Sequence, residues 1–423
     1  MIPGFANTFP RTRPNIILSA LLLAAAIGLA PSPASAGFNF FHESVPQVLP
    51  DQWIRYDAAT VGLGVVGSRL YGVANSDTNA IWGSIYSTNL DGSDFQIEHI
   101  FDNDNDENVG FELRRMLAVD DRLYVYSAHD VSDHRAAIYS FDPSNRQLQR
   151  LHAFDSDHLF AEMWLLNVES KLFAYEPLNL GDGGGLFAMN LDGSAAEQIF
   201  QVPAHYKSTG RQLYTNGEKF FGVAYRDEFG EQYASIFSVD LDGSNFQEIH
   251  QLAHPNAAST LAISGSTLVG ALDTVAGLPS GSSTGIYSIN TDGSNFQLFH
   301  TVEPLPPKQY FTYELFSHQG RIFGLETDAN PYPNITVSLF SVDPVSGTVN
   351  RIESIKASQT TLQYPGNMMQ NEIFTIHGNT LYGRLFSSGA FSYTLPVPEP
   401  GSFVLTCLAA IALTGCRRRN QVP

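Results

Sequence analysis

The chain has 423 residues with 42 acidic and 23 basic side chains, for a formal net charge of −19, and only two cysteines, Cys407 and Cys416. An acid excess of this size argues against nucleic acid and anionic membrane surfaces as partners, and is compatible with cations, basic polymers or plain solubility. Because both cysteines lie near the C-terminus, the stretch between them and the N-terminal leader holds no disulfide, thiol nucleophile or cysteine-ligated zinc.

The first 36 residues read as a secretory signal peptide. Arg11 and Arg13 supply a basic start, Ile16 to Ala30 an apolar helical run, and Ala34-Ser35-Ala36 a small-residue cleavage site ahead of Gly37. The run is shorter than the roughly twenty residues a permanent membrane-spanning helix needs, so cleavage after Ala36 is expected.

From residue 37 to 395 the dominant signal is internal repetition. Ile85-Tyr86-Ser87-Thr88-Asn89-Leu90-Asp91-Gly92-Ser93 returns as Ile236-Phe237-Ser238-Val239-Asp240-Leu241-Asp242-Gly243-Ser244 and as Ile286-Tyr287-Ser288-Ile289-Asn290-Thr291-Asp292-Gly293-Ser294. Weaker copies place aromatics at 139, 187, 340 and 391, so that seven aromatics are separated by 53, 48, 50, 50, 53 and 51 residues. A second landmark precedes each of them, as in Leu70-Tyr71-Gly72, Phe220-Phe221-Gly222 and Leu381-Tyr382-Gly383, and a short apolar run such as Leu261-Ala262-Ile263 lies further upstream. Each unit therefore reads as four short strands, with Asp-Gly pairs supplying the positive-φ residue of a hairpin. Four strands in about fifty residues is the arithmetic of a β-propeller blade, and the fold class is an all-β, seven-bladed propeller. The seventh unit runs out after its third strand, and Gln52-Trp53-Ile54-Arg55-Tyr56 has the alternation to complete it, so this N-terminal strand is expected to close the ring. The repeats resemble YWTD-type and TolB-like periplasmic propellers, which share the Asn-Leu-Asp-Gly-Ser turn between two strands. The YWTD tetrapeptide itself is missing, with Leu70-Tyr71-Gly72-Val73 in its place. The likeness implies a fold and no particular ligand.

The segment from 397 to 420 has three parts: Val397-Pro398-Glu399-Pro400, an apolar helical run from Phe403 to Cys416, and Arg417-Arg418-Arg419. The run is short for a stable span, and the arginines would be held on the cytoplasmic side, which suits a transient membrane segment. In order and position these parts resemble the PEP-CTERM sorting signal. That resemblance implies recognition by an exosortase-type processing enzyme, export to the cell surface or extracellular space, and association with extracellular polysaccharide or surface proteins. An ordinary C-terminal anchor is the competing reading. Excluding the five arginines of leader and tail leaves a charge of −24.

Candidates for chemistry are few. The run Asp102-Asn103-Asp104-Asn105-Asp106-Glu107-Asn108 offers oxygen ligands at Asp102, Asp104 and Asp106 as a calcium loop would, with Glu112 as an extra ligand. Glu107 stands where such a loop needs glycine, and Leu113 where it needs its closing acid, so a solvated loop without cofactor is the favoured reading. His99, His152, His250 and His300 recur at one position of four units, which spreads them around the rim. Gly181-Asp182-Gly183-Gly184-Gly185 lacks the lysine and helix of a phosphate loop. The sequence thus favours a non-enzymatic surface or matrix protein whose propeller is a binding or structural module, with no catalytic residue assigned. A polysaccharide lyase or glycosidase on the same scaffold is the alternative, because acids from different blades converge at a propeller's centre.

Overall fold

The computed structural model describes residues 39–41 and 62–396, apart from 79–80, 103–112, 129–135, 155–162, 178–183, 207, 210–211, 229–230, 253–256, 273–283, 303–310, 329–334, 358–373 and 386–388. Every described element is a strand. β1 (Asn39–Phe41) comes first in the chain. Blade 1 is β2 (Leu63–Val66), β3 (Arg69–Thr78), β4 (Ile81–Asn89) and β5 (Gln96–Asp102); blade 2 is β6 (Leu113–Val119), β7 (Arg122–Ser127), β8 (Ala137–Asp142) and β9 (Gln147–Ala153). Blade 3 is β10 (Trp164–Val168), β11 (Lys171–Glu176), β12 (Gly185–Asn190) and β13 (Glu197–Gln201). In blade 4 two short pieces, β14 (Ser208–Thr209) and β15 (Tyr214–Thr215), share the inner position beside β16 (Lys219–Glu228), followed by β17 (Glu231–Asp240) and β18 (Gln247–Leu252). Blade 5 is β19 (Ala257–Ser264), β20 (Thr267–Leu272), β21 (Thr284–Asn290) and β22 (Gln297–Val302), and blade 6 is β23 (Phe311–His318), β24 (Arg321–Asp328), β25 (Ile335–Asp343) and β26 (Thr348–Ala357). Blade 7 takes β27 (Phe374–His377), β28 (Thr380–Leu385) and β29 (Gly389–Thr394) from the C-terminal end and β1 from the other.

Seven antiparallel sheets, each with four strand positions from inner to outer, make the propeller the repeats predicted. Ring closure by an N-terminal strand also holds, but by a different strand. Asn39, Phe40 and Phe41 pair with Ser392, Phe391 and Ala390, which puts β1 in the outer position assigned from sequence to residues 52–56. The latter lie outside the described residues, as do the leader and the tail; among the described residues no helix is long and apolar enough to cross a membrane.

The sequence landmarks meet in one row across each blade. Leu63 pairs with Gly72 and Gly72 with Tyr86; Leu261, Gly270 and Tyr287 repeat this, as do Leu315, Gly324 and Phe340, and Phe374, Gly383 and Phe391. The glycine is required by space: a Cβ at Gly270 or Gly324 would overlap the ring of Tyr287 or Phe340, which lies across the backbone. Blades 2 and 3 put Val125 and Ala174 at that position, opposite Tyr139 and Phe187.

Blades are joined by apolar clusters, one per neighbouring pair. The cluster between blades 3 and 4 includes Phe173, Leu186, Phe220 and Phe237, whereas the one closing the ring, between blades 7 and 1, has Leu63, Leu70 and Tyr382 as its buried residues among those described. The third-to-fourth-strand turns lock onto the preceding blade. In Asn190-Leu191-Asp192-Gly193-Ser194, the Asp192 carboxylate accepts from the Ser194 N–H (2.9 Å) and hydroxyl (2.6 Å), and Gly193 adopts φ +82 against Leu151. Gly243 and Gly293 sit in the same way against Ile199 and Ile249. Each contacted residue is bulged out of its outer strand, where the register with the third strand slips.

Candidate functional site

Connections fall on two faces. First-to-second and third-to-fourth turns share one, the turn face; the connections between second and third strands and from one blade to the next, which include the longest, attach at the opposite face. The inner strands run between the two and line the central channel.

Counted back from the inner hairpin turns, the channel wall is layered. Four residues before the turn every blade carries a large apolar side chain: Leu63, Met116, Leu165, Leu213, Leu261, Leu315 and Phe374. One residue earlier, nearer the long connections, the repeat breaks into Gly62, Arg115, Trp164, Gln212, Thr260 and Glu314. This second layer is built across blades. The Arg115 guanidinium, in a residue only 5% exposed, stacks 3.5 Å over the Trp164 ring, a cation–π contact between blades 2 and 3. Trp164 is 8% exposed, and its indole N–H finds no acceptor among the described residues. The Tyr214 hydroxyl contacts Gln212 (2.7 Å) and Thr260 (3.2 Å), and Thr260 accepts from the Leu315 N–H (2.9 Å). On the turn side, Ser317 accepts from the Ile263 N–H and Ser264 donates to the Gly320 carbonyl, so side-chain hydroxyls satisfy the free backbone edges of adjacent inner strands.

A cavity of about 560 Å³ opens in this part of the channel, walled by blades 3 to 7. Its apolar wall includes Leu166, Leu261, Leu315, Phe316 and Phe374, and its polar atoms come from Gln212, Tyr214, Thr215, Asn216, Ser264 and Ser317. Among its described lining residues there is no Asp, Glu, His, Lys or Arg. The described wall suits an uncharged ligand with an apolar side.

A second departure from the repeat lies between blades 1 and 2. The bulged outer-strand residue is Leu151, Ile199, Ile249 and Ile352 in blades 2, 3, 4 and 6, but Glu98 in blade 1. Its side chain is 5% exposed, accepts from the Ser87 hydroxyl, lies 3.0 Å from Nε of Arg146 and 4.0 Å from Nε of Arg69. Arg69 is itself held by the Asp94 carboxylate at 2.7 Å. Arg146, at φ +59, belongs to the blade 2 turn Pro143-Ser144-Asn145-Arg146, which replaces the Asp-Gly-Ser turn. Burial, and then the Glu98 charge, push the neighbouring Tyr71 phenol above its ordinary pKa.

Most of the residues singled out in sequence lie outside the described set. Asp102 ends β5 with its side chain outside the described set, and Asp104, Asp106 and Glu112 lie in the connection that follows, also outside it. The cleavage residues Ala34 and Ala36, the motif Val397-Pro398-Glu399-Pro400 and Arg417, Arg418 and Arg419 are outside it as well. His99, His152 and His250 occupy equivalent outer-strand positions opposite Ile85, Ile138 and Ile236, on three blades. His250 stacks on Phe296 of the next blade (4.3 Å between centroids), and burial holds its pKa below the usual histidine value. The side chain of His300 is not described. Among the described residues no His/Cys/Asp/Glu group is arranged to hold a metal ion. Sequence reading missed the Arg115–Trp164 layer and the Glu98 cage; aligning the repeats and asking where a column changes character would have marked both.

No protein-family profile matches the sequence, and no curated protein matches it. Solved structures do. The β-propeller domain of the Trilobed protease from Pyrococcus furiosus superposes with a TM-score of 0.49 at 10% identity, over 81% of this chain and 94% of that one. An oligogalacturonate lyase in complex with manganese gives 0.45 at 16% identity, over 65% and 86%, and TolB from Acinetobacter baumannii 0.35 at 12%, over 58% and 55%. At these identities the likeness concerns architecture, and no activity passes from them to this chain.

Proposed function

We propose that this is an exported, non-enzymatic surface or extracellular-matrix protein, released from its leader after Ala36 and sorted through its C-terminal segment by an exosortase-type enzyme. The propeller serves as a binding or structural module for extracellular polysaccharide or surface proteins. The observation that carries the reading is the junction of fold and tail. Leu395 is 1% exposed, its N–H donates to the Asn379 carbonyl (2.7 Å), and Arg321 donates to the Pro396 carbonyl (2.9 Å). The fold is thus pinned up to the residue before Val397, where the sorting motif begins, with no slack between them.

Expression of the full chain in a host with and without an exosortase tests the sorting. The wild type should be processed and leave the inner membrane fraction only where the enzyme is present, and Pro398→Ala/Pro400→Ala should remain unprocessed; equal processing in both hosts refutes it. Purified residues 37–396 should show no turnover of acidic polysaccharides. Any turnover would overturn the non-enzymatic reading in favour of a lyase or glycosidase.

A further inference from the structure

Both ends of the propeller leave it at one place. Thr394 pairs with Thr380 beside the Gly378-Asn379 turn, so β29 finishes on the turn face of blade 7, and antiparallel β1 has Asn39 towards that same face. The surface there is unlike the rest. Blades 1 to 5 each place acid in their turns on this face, among them Asp91, Asp121, Asp192, Asp242 and Asp292. The described turns of blades 6 and 7 contain one acid, Asp343, which accepts from the Val345 N–H (2.9 Å) and the Ser346 hydroxyl (2.7 Å) and keeps its charge as the other turn aspartates do. At the tip of that turn Val345 is 86% exposed, and Arg321, at the chain exit, adds a cation. On a chain this acidic, most of the surface is repelled by anionic headgroups and gains nothing from apolar depth. The sector of blades 6 and 7 combines low charge, an apolar tip and the point where the tail departs.

We propose that the turn face at blades 6 and 7 rests on the phospholipid bilayer surface, leaving the face of the long connections turned outward to meet partners. This inference concerns the chain before processing and rests on the tail being the transient membrane segment that the proposed sorting requires. It adds that the propeller body has a fixed orientation, set by where its acids are missing.

The test uses the full chain with Cys407→Ser and Cys416→Ser, which leaves no other cysteine, carrying a single donor dye at Val345→Cys, Ser170→Cys or Ala204→Cys. Ser170 is on the turn face of blade 3, and Ala204 is exposed in the connection after β13 on the opposite face. At about 3.3 Å per residue, strands of this length separate the two faces by roughly 20 to 30 Å. In phosphatidylcholine vesicles with an acceptor lipid, transfer should rank Val345 above Ser170 above Ala204, with at least about a twofold difference between the first and last. Val345→Asp/Gln319→Glu should float with the vesicles as before yet lower transfer from a dye at Ser346→Cys. A chain that floats with Ala204 as near the lipid as Val345 overturns the orientation alone. A chain that does not float overturns the reading of the tail as a membrane segment, and the orientation falls with it.

Discussion

Removing Glu98 should harm the propeller less than removing the arginine that faces it. Arg146→Ala leaves a carboxylate that is 5% exposed with Ser87 and a more distant Arg69 (4.0 Å) as its remaining partners. Breaking a buried pair from one side costs about 3–5 kcal/mol, and the surviving partners place this case at about 2–3 kcal/mol. Glu98→Leu removes the buried charge itself and installs the residue type found at the bulge of blades 2, 3, 4 and 6. The cations it leaves behind have other recourse, since Arg146 is 55% exposed and Arg69 keeps Asp94 at 2.7 Å. That exchange should stay within about 1 kcal/mol of wild type. With an unfolding entropy of about 2.1 cal/mol/K per residue over roughly 360 residues, Arg146→Ala should lower the melting temperature by about 3–4 °C, and Glu98→Leu by about 1 °C or less. The decisive measurement is the double mutant, by calorimetry and urea unfolding of residues 37–396. In the Glu98→Leu background Arg146→Ala should become nearly silent, giving a coupling of about 2 kcal/mol. Equal cost of Arg146→Ala in both backgrounds would refute the cage as a source of stability.

Other consequences can be measured on the same domain. Gly270→Ala should cost about 1–3 kcal/mol, because the added methyl displaces the Tyr287 ring, and the loss should show as a lower urea midpoint; the reverse exchange in blade 3, Ala174→Gly, should produce no such overlap. The turn carboxylates of Asp91, Asp142, Asp192, Asp242, Asp292 and Asp343 are held below the usual aspartate range by hydrogen bonds from Ser93, Ser144, Ser194, Ser244, Ser294 and Ser346. Their contribution is present above about pH 4 and lost as pH falls through the lowered values, so Asp242→Asn should flatten the acid limb of a stability–pH curve. Burial lowers the pKa of His250, so its contribution is full above about pH 6.5 and declines as pH drops towards the folded value; His250→Phe should remove that slope from the melting curve between pH 7.5 and 5.5. Deletion of residues 38–41 should open blade 7 and be detected as protease cleavage within β29, whereas alanines at Gln52, Trp53 and Ile54 should leave the ring closed. Chelator should leave the melting temperature unchanged if the Asp102–Asn108 run is only a solvated loop.

The blade was legible because its signals are local. The glycine of the second strand and the aromatic of the third are cross-strand neighbours, and their spacing survives in the sequence of each repeat. The closing strand was misassigned because three residues, Asn39 to Phe41, are too short to show a period. Gln52 to Tyr56 alternates better, yet what selects the partner of β29 is spatial, the rim position at which the two ends meet. Glu98 reads as an exposed residue beside Ile97, and the slip in register after that position turns it inward, which strict alternation cannot show. Arg115 and Trp164 belong to different repeats, and only the ring brings them together.

The pairing of Asn39 with Ser392 also sets a schedule. Contacts within a blade form between residues a few dozen apart, but the first strand to emerge has no place to go until the last one arrives, so the final step of assembly spans nearly the whole chain and is the slow one. Were the chain exported unfolded and N-terminus first, as proposed above, its first strand would stay unpaired until the last blade had followed it. The seam joins residues 39–41 to 390–392, so it closes only once the last blade is made.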